Sequence, residues 1–150
     1  MSDAFFRASA GACVVDSRGL VLAMRRRNLP ETAWQMPQGG IKSDEMPREA
    51  VLRELHEEAG VYPGDVELVE EHDAWLVYAL PQAMRNPKVG WGQAQRWFLL
   101  RLKPGVAVAP DGEEFDACEW LQPEELLLRA IEFRKPIYGR ILRDFRLLPS

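Results

Sequence analysis

Two cysteines among 150 residues, Cys13 and Cys118, are too few for a disulfide framework or a cysteine-built metal site. Each sits in an apolar segment and is read as a packed, reduced thiol. No apolar run approaches the roughly 18–20 residues that span a bilayer. The stretch from Met1 to Ala10 holds none long enough for a signal peptide, so a cytoplasmic chain with no membrane partner is expected. Positive charge is not in excess either. A net charge of -4 excludes a protein that coats nucleic acid nonspecifically, because that mode needs a positive surface to release counterions. Basic clusters exist locally, at Arg25, Arg26 and Arg27 and again in Arg129, Arg134, Lys135, Arg140, Arg143 and Arg146. Repeats and low-complexity tracts are absent, and 47% hydrophobic with 28% charged side chains fits one globular domain over residues 1–150.

Apolar runs over residues 8–15 and 19–25, separated by Asp16-Ser17-Arg18-Gly19, predict a hairpin, and residues 26–33 a loop. Val51, Leu52, Leu55 and Ala59 recur at helical spacing over residues 47–59. Pro47 is tolerable in the first turn and Gly60 is placed to stop the helix. Strands are expected over 65–70, 74–80, 95–102 and 115–121, with a long loop over 82–94. After Pro123 a short helix is expected, then a break near Pro136, then an amphipathic helix with Ile137, Ile141, Leu142 and Phe145 on one side. The fold class is α/β, a mixed sheet with a helix between early strands and helical cover from the C-terminus.

The chemistry concentrates in GGIKSDEMPREAVLRELHEEAGV, residues 39–61. Glu54, Glu57 and Glu58 stand at i, i+3 and i+4, so a helix brings them to one face, beside the side that Leu52, Leu55 and Ala59 pack on the sheet. Three carboxylates there repel unless a counter-charge joins them. A hard divalent cation such as Mg²⁺ or Mn²⁺ takes carboxylate oxygens and keeps positions open for water and phosphate. On spacing alone, an acidic face that merely solvates a helix is the more frequent outcome.

The full stretch resembles the Nudix box: Gly39, five residues, Glu45, seven residues, then Arg53-Glu54-Leu55-His56-Glu57-Glu58-Ala59-Gly60-Val61, matching every defined position of the 23-residue pattern. The resemblance implies an α/β/α sandwich with a mixed sheet, the Nudix helix and C-terminal helices. It also implies that Glu54, Glu57 and Glu58 bind divalent metal, Mg²⁺ or Mn²⁺, with a backbone carbonyl of Gln38 or Gly39 as a further ligand. Arg53 and Glu45 would orient the cluster. Asp44 stands where a Gly commonly precedes the Glu of that turn.

Trp34-Gln35-Met36-Pro37-Gln38-Gly39-Gly40 is similar to the RNA pyrophosphohydrolase and diadenosine polyphosphate hydrolase branch of the family. So are Phe6-Arg7, Gly92-Gln93-Ala94-Gln95-Arg96-Trp97-Phe98, Glu114-Phe115-Asp116 and Phe133-Arg134-Lys135. Carried over, Glu114 is an added metal ligand or base, and Arg7 and Arg26 contact phosphates. Phe133 and Arg134 read the nucleobase by stacking and by charge or hydrogen bonding, with Gln95 and Trp34 as further substrate contacts. Ala94 replaces a Lys frequent in RNA-acting relatives, so modest RNA affinity is expected.

The implied reaction is attack of a metal-activated water on a polyphosphate phosphorus. Glu54 is the first choice as base, with Glu57 and Glu114 as rivals; His56 and His72 are expected at the surface. The expected substrate is a 5′-triphosphorylated RNA end. Asymmetric cleavage of a diadenosine polyphosphate, clearance of nucleoside triphosphates and a non-catalytic nucleotide-binding module are the alternatives. No stable protein partner is implied.

Overall fold

The turn after the first strand is built by Asp16, whose Oδ1 accepts the N–H groups of Arg18 (2.9 Å) and Leu20 (3.0 Å). In the computed structural model, which describes residues 4–27 and 33–150, it joins β1 (Phe6–Val15) to β2 (Val21–Arg26). The expected hairpin forms, but its strands pair at Val15 and Val21 and then part. β1 runs parallel to β7 (Gly92–Leu102) from Phe6 to Val15, while β2 runs antiparallel to β8 (Phe115–Leu121). The sheet is therefore a fork with two wings.

Two short strands fill the fork. β3 (Trp34–Gln35) pairs with Met24 and Arg25 of β2, and β4 (Gln38–Gly40) pairs with Ser9, Ala10 and Gly11 of β1. Between them Pro37 has no N–H to give, but its carbonyl accepts from Ala12 at 2.8 Å. The far edge of β7 carries β5 (Val66–Glu71) along one half and β6 (Leu76–Ala79) along the other, both antiparallel. β7 thus begins at Gly92, three residues ahead of expectation, because Gly92 to Gln95 pair with β6 and β1 at once. The loop expected over 26–33 lies in part outside the described residues.

α1 (Pro47–Ala59) opens with Pro47 in its first turn and stops at Gly60, whose φ of 71° is the left-handed cap that glycine adopts without strain. Ala50, Val51, Leu55 and Ala59 bury against Ala12, Val14, Leu22, Phe98 and Leu100 on one face of the sheet. Leu52, expected on that face, is partly buried at its edge. On the opposite face α2 (Pro123–Arg129) and α3 (Lys135–Asp144) bring Leu126, Ile137, Tyr138, Ile141 and Leu142 onto Cys13, Val15, Trp97 and Leu99. From Ala10 to Val15 β1 is covered on both sides, which is why that part of it, AGACVV, carries no polar side chain and does not alternate.

The helix break falls at Ala130 and Ile131, followed by a 3₁₀ turn over Glu132–Arg134. It does not fall at Pro136, which sits in the first turn of α3, where a missing N–H costs no hydrogen bond. Both cysteines are free, and burial pushes the Cys13 thiol up to about 12. Among the described residues no helix is long and apolar enough to cross a membrane.

Candidate active site

Arg53 ties the start of the Nudix-like segment to its helix. Its Nε and Nη2 donate to the two oxygens of Glu45 at 2.7 and 2.9 Å, Nη2 also reaches the Gly40 carbonyl at 2.8 Å, and Nη1 reaches Glu54 at 2.8 Å. This fork holds the Glu45 carboxyl down at about 2, helped by the Lys42 N–H that Glu45 also accepts. Gly39 lies flat against the next carboxylate: a Cβ at Gly39 would fall 2.1 Å from the carboxyl carbon of Glu54. A side chain at Gly39 would force the Glu54 carboxylate out of this position.

The three helix carboxylates do not share one environment. Glu58 is 3% exposed and its Oε1 accepts the Gln38 N–H at 3.0 Å. Burial, then the charges of Glu54 and Glu114, push it up to about 9. Glu54 is also raised, by burial first, with Arg53 opposing. Glu57 points outward, 3.4 Å from Arg53 Nη1, and does not line the cleft. Helical angle explains the split, since positions 54 and 58 differ by about 40° while 57 is rotated to the other side of 54.

Glu54 and Glu58 form one end of a cleft of about 660 Å³. Glu114 reaches it from the loop before β8, where Asp111 Oδ1 accepts the N–H groups of Glu113, Glu114 and Phe115 at 2.9, 3.0 and 3.0 Å. Arg27 fastens this loop to the end of β2, donating its backbone N–H to the Glu114 carbonyl (2.7 Å) and its Nη1 to the Gly112 carbonyl (2.7 Å). Arg26 lines the cleft with a guanidinium nitrogen 3.7 Å from Glu114. Arg7 crosses Gly40 so closely that a Cβ there would meet its Nη2 at 2.2 Å, and no carboxylate pairs with it among the described residues.

The other end is aromatic and basic. Phe133 stacks on Tyr78 with centroids 5.5 Å apart, and the Arg134 guanidinium lies 5.3 Å over the Phe133 ring while its Nη1 donates to Gln35 Oε1. The Nε2 of Gln35 is buried and finds no hydrogen-bond partner among the described residues. Trp34 lines the cleft but is largely buried, between Arg25 and Arg129.

Two expectations are corrected. Gln95 does not face the cleft: it is 2% exposed and spends both ends of its amide internally, donating to Gln38 and Gln93 and accepting from Trp97 Nε1. Gln93, two residues nearer the strand start, lines the cleft instead. His72 is not at the surface but 4% exposed, with Nε2 2.7 Å from Asp144, while His56 does lie outside, against Tyr62. Sequence reasoning also missed the wall from Tyr78, Met84, Asn86, Lys88 and Val89. Those residues read as strand and loop, and nothing in local spacing marks a loop that faces a distant helix.

The donor set at the acidic end is all oxygen: Glu54, Glu58 and Glu114 carboxylates beside the Gln38–Gly39 backbone. That chemistry suits a hard divalent cation, and the upward push on Glu58 is what such a charge would relieve. As the side chains stand, no three acidic or histidine groups among the described residues converge on one point. Glu54 is turned onto Arg53 and Glu58 onto Gln38.

A cleft with oxygen donors at one end, the unpaired Arg7 guanidinium beside it and an aromatic stack at the other suits a metal-dependent enzyme that opens nucleotide phosphoanhydrides. The comparisons with known proteins agree, and the chain belongs to the NUDIX family, whose domain model matches residues 5–145. It is a Nudix pyrophosphohydrolase, and enzymes of this family need a divalent metal. It is 41% identical to an RNA pyrophosphohydrolase of Marinomonas sp., over 97% of this chain and 92% of that one. It is 38% identical to Nudix hydrolase 25 of Arabidopsis thaliana, over 93% of this chain and 86% of that one. Its fold matches the crystal structure of a C. elegans Ap4A hydrolase binary complex with a TM-score of 0.71 at 16% identity, covering 93% of this chain and 97% of that chain.

Proposed function

We propose that this enzyme removes phosphate from the 5′-triphosphorylated end of RNA, leaving a 5′-monophosphate. The observation that carries this reading is the cleft itself, which joins Glu54, Glu58 and Glu114 to the Tyr78–Phe133–Arg134 platform through Arg7 and Arg26. A relative named as an RNA pyrophosphohydrolase, aligned over nearly the whole of both chains, supports it.

In this reading Glu54, Glu57, Glu58 and Glu114, with a carbonyl of Gln38 or Gly39, hold Mg²⁺ or Mn²⁺. That ion supplies an acidified water and neutralises charge on the phosphate oxygens. Arg7 and Arg26 hold the phosphate chain by paired N–H donors, and Arg53 fixes Glu54 without entering the cleft. Glu54 takes the proton of the attacking water, a role suited to a carboxyl that burial holds above its ordinary range. Glu57 becomes a ligand by turning away from its loose contact with Arg53. Phe133 offers its ring to a base and Arg134 a guanidinium to the base edge, with Trp34 closing the side. A cytoplasmic location and one domain over the chain complete the reading.

The test compares rates, with Mg²⁺ and with Mn²⁺, on a short 5′-triphosphorylated RNA, diadenosine tetraphosphate and free GTP. Preference for the RNA is expected. Preference for the dinucleotide would move the enzyme to asymmetric cleavage of dinucleoside polyphosphates and leave Phe133 and Arg134 as packing.

A further inference from the structure

Between Asp73 and Asp111 the sequence carries no acidic residue, although the chain holds 23 of them against 19 Lys and Arg. This stretch runs through β6, the wall loop and β7, so the acid-free segment passes along one side of the cleft. Of its cations, Arg96 and Arg101 are paired to Glu71 and Glu67 of β5. Arg85, Lys88 and Lys103, the last just past the end of β7, have no carboxylate partner among the described residues. Lys88 lines the cleft, and Arg85 lies 5.0 Å over the ring of Trp91.

The same region exposes four large apolar side chains. Trp91 is 42% exposed, Met84 45%, Phe6 44% and Phe5 39%. Phe5, Phe6 and Trp91 are neighbours: the Phe5 carbonyl accepts the Trp91 N–H at 2.8 Å, and Phe6 is in register with Gly92. The Phe5 ring covers Gly90, where a Cβ would meet it at 2.8 Å. Asn86 lines the cleft and its carbonyl accepts the N–H of Gly90, the residue under the Phe5 ring, at 2.7 Å, so the patch adjoins the cleft.

We propose that this patch is the track for single-stranded RNA leaving the cleft, with Trp91 and Phe6 stacking on bases beyond the 5′ end and Arg85 and Lys88 facing phosphates. Exposed rings accept any base, and cations free of carboxylate partners match a phosphodiester chain, which is the chemistry of sequence-tolerant strand binding. The inference rests on the RNA reading of the active site. A dinucleoside polyphosphate has no phosphodiester strand to lay on the track and gains nothing from it.

The test is steady-state kinetics of the full chain on unstructured 5′-triphosphorylated RNAs of two and of ten nucleotides and on diadenosine tetraphosphate. Wild type is compared with a Trp91→Ala, Phe6→Ala double variant. In wild type the ten-mer is expected to show a KM about tenfold lower than the two-mer, as one stacked base would give, and a steeper loss with salt. The double variant should bring the ten-mer to the level of the two-mer while hydrolysis of the two-mer and of the dinucleotide persists, which also shows that it folds. Equal KM at both lengths in wild type, or a length effect that survives the double variant, overturns the proposal. Loss of self-association in the double variant without any length effect would assign the patch to a second copy of the chain instead. Hydrolysis of the dinucleotide with none of either RNA would overturn the RNA reading itself.

Discussion

Replacing Glu58 by Gln should make the metal-free protein more stable. Glu58 is 3% exposed and its carboxyl is pushed from the ordinary 4.5 to about 9. A carboxyl raised on folding leaves the folded state at its best below pH 4.5 and costs stability progressively as pH rises from 4.5 towards 9. At pH 7.5 the folded chain must hold a proton across about 3 pH units, a penalty of at most about 4 kcal/mol at 1.36 kcal/mol per unit. Gln carries no proton to lose, and its Oε1 can still accept the Gln38 N–H that Glu58 accepts now. The assay is urea unfolding in excess EDTA at pH 5, 7.5 and 9. The variant should match wild type near pH 5 and exceed it increasingly up to pH 9. Added Mg²⁺ should reverse the order, because wild type gains a ligand that the variant lacks. A variant less stable than wild type in EDTA at pH 7.5, or a gap that does not change with pH, would refute the argument that burial and neighbouring carboxylates strain this group.

Asp111→Ala removes the acceptor of three backbone N–H groups in the loop that carries Glu114. We expect kcat to fall about tenfold or more with little change in KM, since small misplacements of a reacting group are costly. Asp111→Asn, which keeps Oδ1, should restore most of the rate, and in a Glu114→Ala background Asp111→Ala should add nothing; an Asn variant as poor as Ala would sink the idea. Tyr138→Phe should cost about 1–3 kcal/mol, because the buried Met36 N–H that donates to the Tyr138 hydroxyl at 2.9 Å is left without an acceptor. Urea melts would show it, and a loss too small to measure would mean that water replaces the hydroxyl.

What could be read from the sequence depended on how local its cause was. α1 announced itself through the spacing of Val51, Leu55 and Ala59 between Pro47 and Gly60, and β8 fell where its turn residues placed it. β3 and β4 could not be read, being two and three residues long and existing because the wings of β1 and β2 part around them. Glu54, Glu58, Arg53 and Glu45 were legible because the motif is contiguous. Tyr78, Met84 and Lys88 were not, because β6 and the loop after it meet the cleft only through pairing with β7. Gln95 and His72 misled for a related reason: each is a polar residue with one partner, Gln38 or Asp144, that lies 57 or 72 positions away.

The fork in the sheet separates two tasks that could have been entangled. The carboxylates ride on α1 against one face, whereas Phe133, Arg134 and the loop holding Lys88 come from the opposite face and the far edge. The two groups meet across a gap rather than within one packed layer, so substitutions on the reading side need not disturb the packing that aims Glu54 and Glu58. A lineage built on this scaffold can thus drift in what it recognises while its bond-breaking apparatus stays fixed, and an engineer can exchange the recognition wall as a separable part.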